Sequence, residues 1–548
     1  MSQKLKIFLA QMNPIGGDID GNFKKLKSAW ERASILNADI VVAPEMFLSG
    51  YPIDDLVLRE DFLLSIEKYL DNLSVLTVKG PAIICGAPRN DNGILRNSVF
   101  IMDKGEIIGF RDKAKLPNED EFYDNRQFMP GDLPGPILLR GIKFGIPICQ
   151  DIWDPEVCEC LTESGAEIIL SINGSTFNID KKDKRLNTVV SRAVENQIPF
   201  IYLNSVGGQD ELIFDGGSFA INMDGKLACQ LPMFETFDGF VEIENKSSNL
   251  YLHSSNLVED CSGYESLYSA ILLSLRDYVY KNGFSKVIFG LSGGIDSALV
   301  AMLCVDALGP ENVNCFMLPS KFTSKASNDD AINLANKLNI ELENLSIEDV
   351  YSSIEKLLNK KFNKLKKDIT EENIQSRVRA LILMAMSNKF GSMLVSTSNK
   401  SESAVGYSTL YGDMSGGFSP LKDVWKTDVI GLCYWRNKNI PSISKFKNSN
   451  IIPENIITKP PTAELRENQK DTDTLPEYEK LDKILSLYME EMKSENEIIR
   501  EGYDRETVIK IINLLRNSEY KRFQAPPGPK LGKKAFGRDR MYPLTNKF

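Results

Sequence analysis

The sequence predicts two α/β units in tandem: a layered sandwich that closes near residue 250, then a doubly wound parallel sheet from near residue 265. Three observations carry this. Short apolar runs bounded by Gly, Pro, Asn or charge recur through the first half, as buried strands do. A polar, Ser/Asn-rich stretch at 245–256 interrupts them and reads as a linker. A second alternation of helix and strand then starts.

The elements follow in order. Leu5–Ala10, Asp39–Ala43, Ala82–Gly86, Ser98–Met102, Lys143–Ile148, Glu167–Ile172 and Phe200–Asn204 are predicted strands. Phe23–Leu36 carries Phe23, Leu26, Trp30 and Ala33 at helical spacing. Lys104-Gly105 and Asp224-Gly225 each separate two apolar runs and predict hairpins. In the second half, helices are predicted over Glu265–Asn282, Ser297–Leu308 and Asn328–Lys337, and strands over Lys286–Phe289, Asn314–Leu318 and Met393–Thr397. Lys356–Lys367 reads as the solvated face of a helix. The last stretch, from Lys521, is basic and proline-punctuated.

Composition narrows the function. The chain has 548 residues, 42% hydrophobic and 26% charged, enough for sizeable cores and against long disorder. Sixty-five basic against 75 acidic residues give a net charge of −10, which argues against a general nucleic-acid binder. Nine cysteines, an odd number, do not read as a disulfide framework, so a reducing cytoplasm is expected. The opening apolar run is too short for a signal peptide, and Val287–Gly309 is broken by Gly293-Gly294 and Asp296, so no membrane span is expected. The single histidine, His253, lies near no motif. A zinc site built on several histidines is excluded, and an activated nucleophile would draw on a carboxylate or lysine.

Three residues at strand ends carry chemistry in the first half. Glu45 follows Val-Val-Ala-Pro, Lys113 follows the first hairpin, and Cys149 ends Gly-Ile-Pro-Ile. In this order and on these elements they resemble the Glu-Lys-Cys triad of nitrilase-type amidases. A thiol needs a base near neutral pH, which Glu45 supplies; Lys113 and the N–H after Cys149 suit an oxyanion. Lys115 is the rival for Lys113, which the family spacing Lys-x-x-Leu favours. Asn173-Gly-Ser175-Thr-Phe with Lys181 and Arg185 resembles the glutamine-reading segment of glutamine-dependent NAD synthetases, and the run Asn204–Ser218 is very close to that family's run after the strand.

Gly290-Leu291-Ser292-Gly293-Gly294-Ile295-Asp296-Ser297, between a predicted strand and helix, resembles the pyrophosphatase-type loop of adenylating enzymes. Glycines admit phosphate to the backbone, hydroxyls and helix-terminal amides bind it, and Asp296 suits magnesium. Glu372–Arg379, Thr397–Glu402, Gly406–Asp413, Lys422–Thr427, Lys459–Arg466 and Asp471–Tyr478 extend the resemblance to essentially the whole chain.

The resemblance implies a nitrilase-like α-β-β-α glutaminase domain at 1–250, a linker at 251–264, and an ATP-pyrophosphatase domain with a basic tail at 265–548. It implies amidation of deamido-NAD with ATP, Mg2+ and ammonia from glutamine. By the same resemblance, Glu119, Ser175 and Lys181 read glutamine, Gly290–Ser297 and Thr397 bind ATP, Asn373, Glu402 and Lys521 bind deamido-NAD, and Asp296 and Glu402 hold the metal. Gln150, Glu119, Thr176 and Asp124 depart from the family pattern in the glutamine pocket and leave the triad intact. A homo-oligomer without nucleic-acid or membrane partners is expected. Two alternatives remain open: an ammonia ligase for another carboxylate, and a non-catalytic nucleotide sensor.

Overall fold

A computed structural model of the chain describes residues 4–118, 122–179, 181–246, 249–363, 365–537 and 539–546. They divide into two compact units, Met1–Cys261 and Ser262–Phe548.

The strands of the first unit are β1 (Lys4–Gln11), β2 (Ile40–Val42), β3 (Ala82–Asp91), β4 (Ile94–Asp103), β5 (Glu106–Asp112), β6 (Ile137–Leu139), β7 (Ile142–Gly145), β8 (Ile168–Asn173), β9 (Phe200–Asn204), β10 (Val206–Gln209), β11 (Leu212–Asp215), β12 (Phe219–Ile221), β13 (Leu227–Gln230), β14 (Phe237–Lys246) and β15 (Asn249–His253). Its longer helices are α1 (Ile19–Ile35), α2 (Glu60–Leu76), α3 (Pro155–Glu163) and α4 (Lys181–Glu195). One sheet runs β15-β14-β1-β2-β3-β4-β5, the other β13-β12-β9-β8-β7-β6. Side chains alternate between faces along a strand. Leu5, Ile7 and Leu9 meet Ile168, Leu170 and Ile172 between the sheets. Phe8 and Ala10 turn outward to Leu26, Ala29 and Leu70 of α1 and α2. Ile169 and Phe200 turn to Leu161 and Val189 of α3 and α4. The result is the α-β-β-α sandwich, and burial on both faces explains why its strands read as continuous apolar runs.

Two expectations are corrected here. The 251–264 linker, and the polar stretch from 245, begin in the sheet: Tyr251–His253 belong to β15, which pairs antiparallel with β14 and buries Leu250 and Leu252. Alternation of those leucines with polar residues marks an edge strand with one wet face. The predicted strand Lys143–Ile148 stops at Gly145 because Pro147 has no N–H to donate; Ile148 rejoins the sheet through one bridge to Ile172.

The second unit carries β16 (Val287–Gly290), β17 (Val313–Met317), β18 (Glu341–Asn344) and β19 (Met393–Leu394). They form an all-parallel sheet in the order β18-β17-β16-β19. Its helices include α5 (Tyr264–Lys281), α6 (Ile295–Leu308), α7 (Lys325–Leu338), α8 (Glu348–Phe362), α9 (Ile369–Phe390), α10 (Lys400–Val405), α11 (Lys426–Lys438), α12 (Glu454–Thr458), α13 (Tyr478–Met489), α14 (Glu495–Arg500) and α15 (Arg505–Asn517). Successive strands step one way from β16 to β18, and β19 lies on the other side, so the switch point falls beside β16. Helices α13 to α15 build their own core with Val405 and Phe536. The tail is not a loose basic extension: Leu531 and Phe536 are buried, and the N–H groups of Leu531 and Gly532 donate to Asp423 Oδ2 at 2.7 and 2.8 Å. Among the described residues, no helix is long and apolar enough to cross a membrane.

Candidate active sites

In the first unit, Glu45 and Lys113 are 0% and 1% exposed, and Lys113 Nζ donates to Glu45 Oε1 at 2.7 Å. Glu45 sits in the turn after β2. That turn is crossed closely by β3 at Gly86, where a Cβ would lie 2.3 Å from Met46 N. Asn97 Nδ2 also donates to Glu45 Oε1, at 2.8 Å, and the Gly174 N–H donates to Oε2 at 2.7 Å. Asp124 completes the shell: its Oδ2 accepts from Lys113 Nζ at 3.2 Å and its Oδ1 from the Tyr51 hydroxyl at 2.8 Å. Burial would depress the Lys113 ammonium, but the carboxylates of Glu45 and Asp124 outweigh it and raise the pKa. Burial raises the Asp124 carboxyl and the Glu45 charge adds to it, outweighing the pull of the Lys113 ammonium.

Cys149 opens a short 3-10 turn, Cys149–Ile152, with a φ of +46°. A non-glycine residue in the left-handed region is strained, and such strain gathers at functional sites. Burial, then the Glu45 charge, push the thiol up to about 12; Lys113, Lys181 and the Gly174 N–H oppose them. A thiol held neutral at rest needs its base at the moment of attack. Lys115, the rival, is partly exposed and pairs with Asp154 and Glu156 at 3.0 and 2.7 Å.

Ser175 is buried, its N–H donating to Asn204 Oδ1 at 2.9 Å. Lys181 Nζ donates to the hydroxyl of Thr176 at 3.3 Å, so the departure from proline supplies an acceptor. Arg185 is not a free cation beside it: its guanidinium grips Asp215 at 2.9 and 2.5 Å, both residues being buried. Glu119 lies outside the described residues. His253 sits on β15 facing Glu244 at 3.4 Å, apart from these residues.

In the second unit, the Gly290–Ser297 loop links β16 to α6 at the switch point. Gly293, at φ +80°, passes Ser327 so closely that a Cβ would lie 2.2 Å from its carbonyl oxygen. Ser292 and Ser297 hydroxyls lie 3.1 Å apart, and Ser297 Oγ donates to Gly294 O at 2.9 Å. The loop and Thr397, Glu402 and Asp296 line one cavity of about 320 Å³. Asp296 Oδ1 accepts from Asn399 Nδ2 at 2.9 Å, and Lys426 Nζ lies against Asp296 and 3.6 Å from Glu402 Oε1. Burial and the Asp296 charge push Glu402 up to about 8. Asn373 and Lys521 do not line that cavity. Both hold the adjoining 406–413 segment, Asn373 accepting from the Thr409 hydroxyl at 2.8 Å and Lys521 donating to the carbonyls of Gly406 and Ser408 at 2.7 and 2.8 Å.

Sequence reasoning missed Asn97 and Tyr51, and gave no role to Gly174 and Asn399, which lie inside quoted runs beside Glu45 and Asp296. Arg379, the end of a quoted run, also drew no role; it lines the cavity wall, donates to Leu318 O at 2.9 Å, and burial lowers it to about 10. Lys426 lies in a quoted motif but drew no role.

A buried Glu-Lys pair beside a thiol on a four-layer sandwich, followed by a phosphate-type loop on a parallel sheet, defines a two-unit enzyme: a carbon–nitrogen hydrolase joined to a nucleotide-using synthetase. Family models agree unit by unit. Carbon-nitrogen hydrolase matches residues 6–242 and NAD synthase matches 267–525. The chain is 44% identical to the glutamine-dependent NAD(+) synthetase of Rhodobacter capsulatus, over 100% of its own length and 99% of that protein. It is 43% identical to that of Aquifex aeolicus, over 99% and 100%. A solved glutamine-dependent NAD+ synthetase from Acinetobacter baumannii, in complex with ADP, superimposes with a TM-score of 0.79 at 36% identity, covering 99% of both chains. The chain belongs to the glutamine-dependent NAD(+) synthetase family.

Proposed function

We propose that the first unit releases ammonia from glutamine at Cys149 and that the second uses it to amidate an adenylated deamido-NAD. At the level of the family, the chain is a ligase that makes NAD from deamido-NAD, ATP and glutamine. The observation that carries the residue assignment is the buried Lys113–Glu45 pair at 2.7 Å beside a thiol on strained backbone.

Glu45 takes the thiol proton as Sγ attacks the side-chain amide carbon of glutamine. Lys113 and the Gln150 N–H stabilise the oxyanion. The C–N bond breaks, Glu45 returns the proton to nitrogen, and ammonia leaves behind a thioester. Water, deprotonated by Glu45, cleaves the thioester to glutamate and restores the thiol. Ser175 and Lys181 hold the α-amino acid end of glutamine; Lys181 is the cation for its carboxylate, since Arg185 is committed to Asp215.

In the second unit, the Gly290–Ser297 loop and Thr397 hold ATP. An oxygen of the nicotinate carboxylate attacks the α-phosphorus, and pyrophosphate leaves. Ammonia then attacks the acyl carbon, AMP departs with the C–O electrons, and loss of a proton gives the amide. Asp296 and Glu402 fit magnesium: they are hard oxygen donors lining one cavity roomy enough for phosphates. Bound there, the ion would neutralise phosphate charge; Lys426 meanwhile keeps the two carboxylates together. Asn373 and Lys521 shape the 406–413 wall that deamido-NAD meets.

The test is NAD formation from glutamine and from ammonium, with AMP and pyrophosphate measured together. Equal AMP and NAD with either nitrogen source supports the reading. Inert deamido-NAD beside an amidated alternative carboxylate overturns it.

A further inference from the structure

We propose that Asp151 is the positioning residue that sets the geometry between Lys113 and Cys149. The inference rests on the triad reading above. Asp151 lies two residues after the thiol, 1% exposed. Its Oδ1 accepts from the N–H groups of Ala114 and Lys115 at 3.0 and 2.7 Å, directly after Lys113. Its Oδ2 accepts from the N–H of Ile148 at 2.9 Å, directly before Cys149. One carboxylate thus ties the backbone on the far side of the lysine to the backbone on the near side of the nucleophile. The same turn closes from the other direction, Asp151 N–H donating to Ile148 O at 3.1 Å, so the ring encloses Cys149 at φ +46°. Strained backbone persists only where its surroundings over-determine it. Three donors converging from two chain segments also demand an acceptor-only group. An asparagine side chain in place of Asp151 would turn its own N–H toward a backbone N–H in either orientation. Burial holds the Asp151 carboxyl up to about 6 while those same three N–H groups pull it down, so near neutral pH the carboxylate is available to all of them. Asp151 touches no substrate in this account; it acts through the two residues it aligns. Misplacement by about 1 Å can cost about 10²-fold in rate.

Asp151→Asn tests this, with Cys149→Ala beside it. The expected result for Asp151→Asn is a glutamine-dependent kcat lower by about 10- to 10²-fold. The KM for glutamine should stay within about twofold, and Cys149 alkylation by iodoacetamide should slow with an altered pH profile. Ammonium-dependent NAD formation, which uses the other unit, should be unchanged and reports an intact chain. A melting temperature lowered without change in kcat, alkylation rate or pH profile would make Asp151 a fold anchor only and overturn the proposal. If Cys149→Ala kept glutamine-dependent synthesis, the triad reading itself would fall. If Cys149→Ala is dead while Asp151→Asn matches wild type, the Asp151 role alone falls. Should Asp151→Asn lose both activities, Asp151→Glu replaces it, and a wild-type alkylation rate in that variant overturns the proposal.

Discussion

The two sites hold their charges in opposite ways. In the first unit the charges packed beside Cys149 are paired with one another: Glu45 accepts from Lys113, Asn97 and Gly174, and Lys113 is shared with Asp124. In the second, Asp296 and Glu402 share one lysine, Lys426, on the wall of a cavity of about 320 Å³, and burial, then the Asp296 charge, pushes Glu402 up to about 8. The hydrolase chemistry needs only glutamine and water, so its site is finished by folding. The synthetase chemistry takes an anionic nucleotide, so its two carboxylates suit a magnesium ion that would bind with the phosphates. Preorganised protein charges in the first case and a cation bound with the substrate in the second are two routes to transition-state stabilisation.

The largest test of that contrast is Cys149→Ala. Glutamine-dependent NAD formation should disappear and ammonium-dependent formation should stay at the wild-type rate. A joint loss with both units folded would mean that the sites do not divide the chemistry. Asp296→Asn should instead lower synthesis from either nitrogen source, by about 10²-fold or more if its carboxylate holds the magnesium that neutralises the triphosphate; wild-type turnover with ammonium removes Asp296 from that role. Glu45→Gln separates base from ion-pair partner. As a base, Glu45 contributes about 10²–10⁴-fold to glutamate release, so Gln should lower release by that factor with ammonium-dependent synthesis untouched. A normal release rate with a lowered melting temperature would make Glu45 structural.

The smallest expected effect is a pH dependence in the second unit. Asp413 is buried and held up to about 6, above its ordinary 3.8, although the Thr409 N–H, donating at 2.7 Å, opposes this. Because the folded value is raised, its contribution to stability is fully present below about 3.8 and is lost as pH rises through about 6. Asp413→Asn carries no such loss. Its melting temperature relative to wild type should therefore climb between pH 4 and 6 and level off above. A flat difference across that range would show that the 406–413 wall does not bury an ionisable carboxyl.

Local sequence determined the strands and helices that bury both faces or one clear face. Leu5–Ala10 and Phe200–Asn204 are legible because a strand covered on both sides must be apolar throughout. β18, Glu-Leu-Glu-Asn at a sheet edge, carried no such signal and was not foreseen. The same held for β15, where polar residues on a wet face disguised an edge strand as a linker. At the sites, Glu45, Lys113 and Cys149 were read through their resemblance to the nitrilase-type triad, and the Gly290–Ser297 loop through its place between a strand and a helix and its resemblance to the pyrophosphatase-type loop. What only the tertiary structure decided is who neutralises whom. Arg185, read with Lys181 as part of one segment, is committed to Asp215, 30 positions away in sequence. Asn97 reached Glu45 from 52 positions away, and Asp151 reached the lysine's backbone from 36 and 37. Lys426 closed on Asp296 across 130. Residue type and local spacing fix which groups can ionise and where the chain turns. Partnership between buried groups depends on which strands lie side by side, and that is set by the packing of whole sheets.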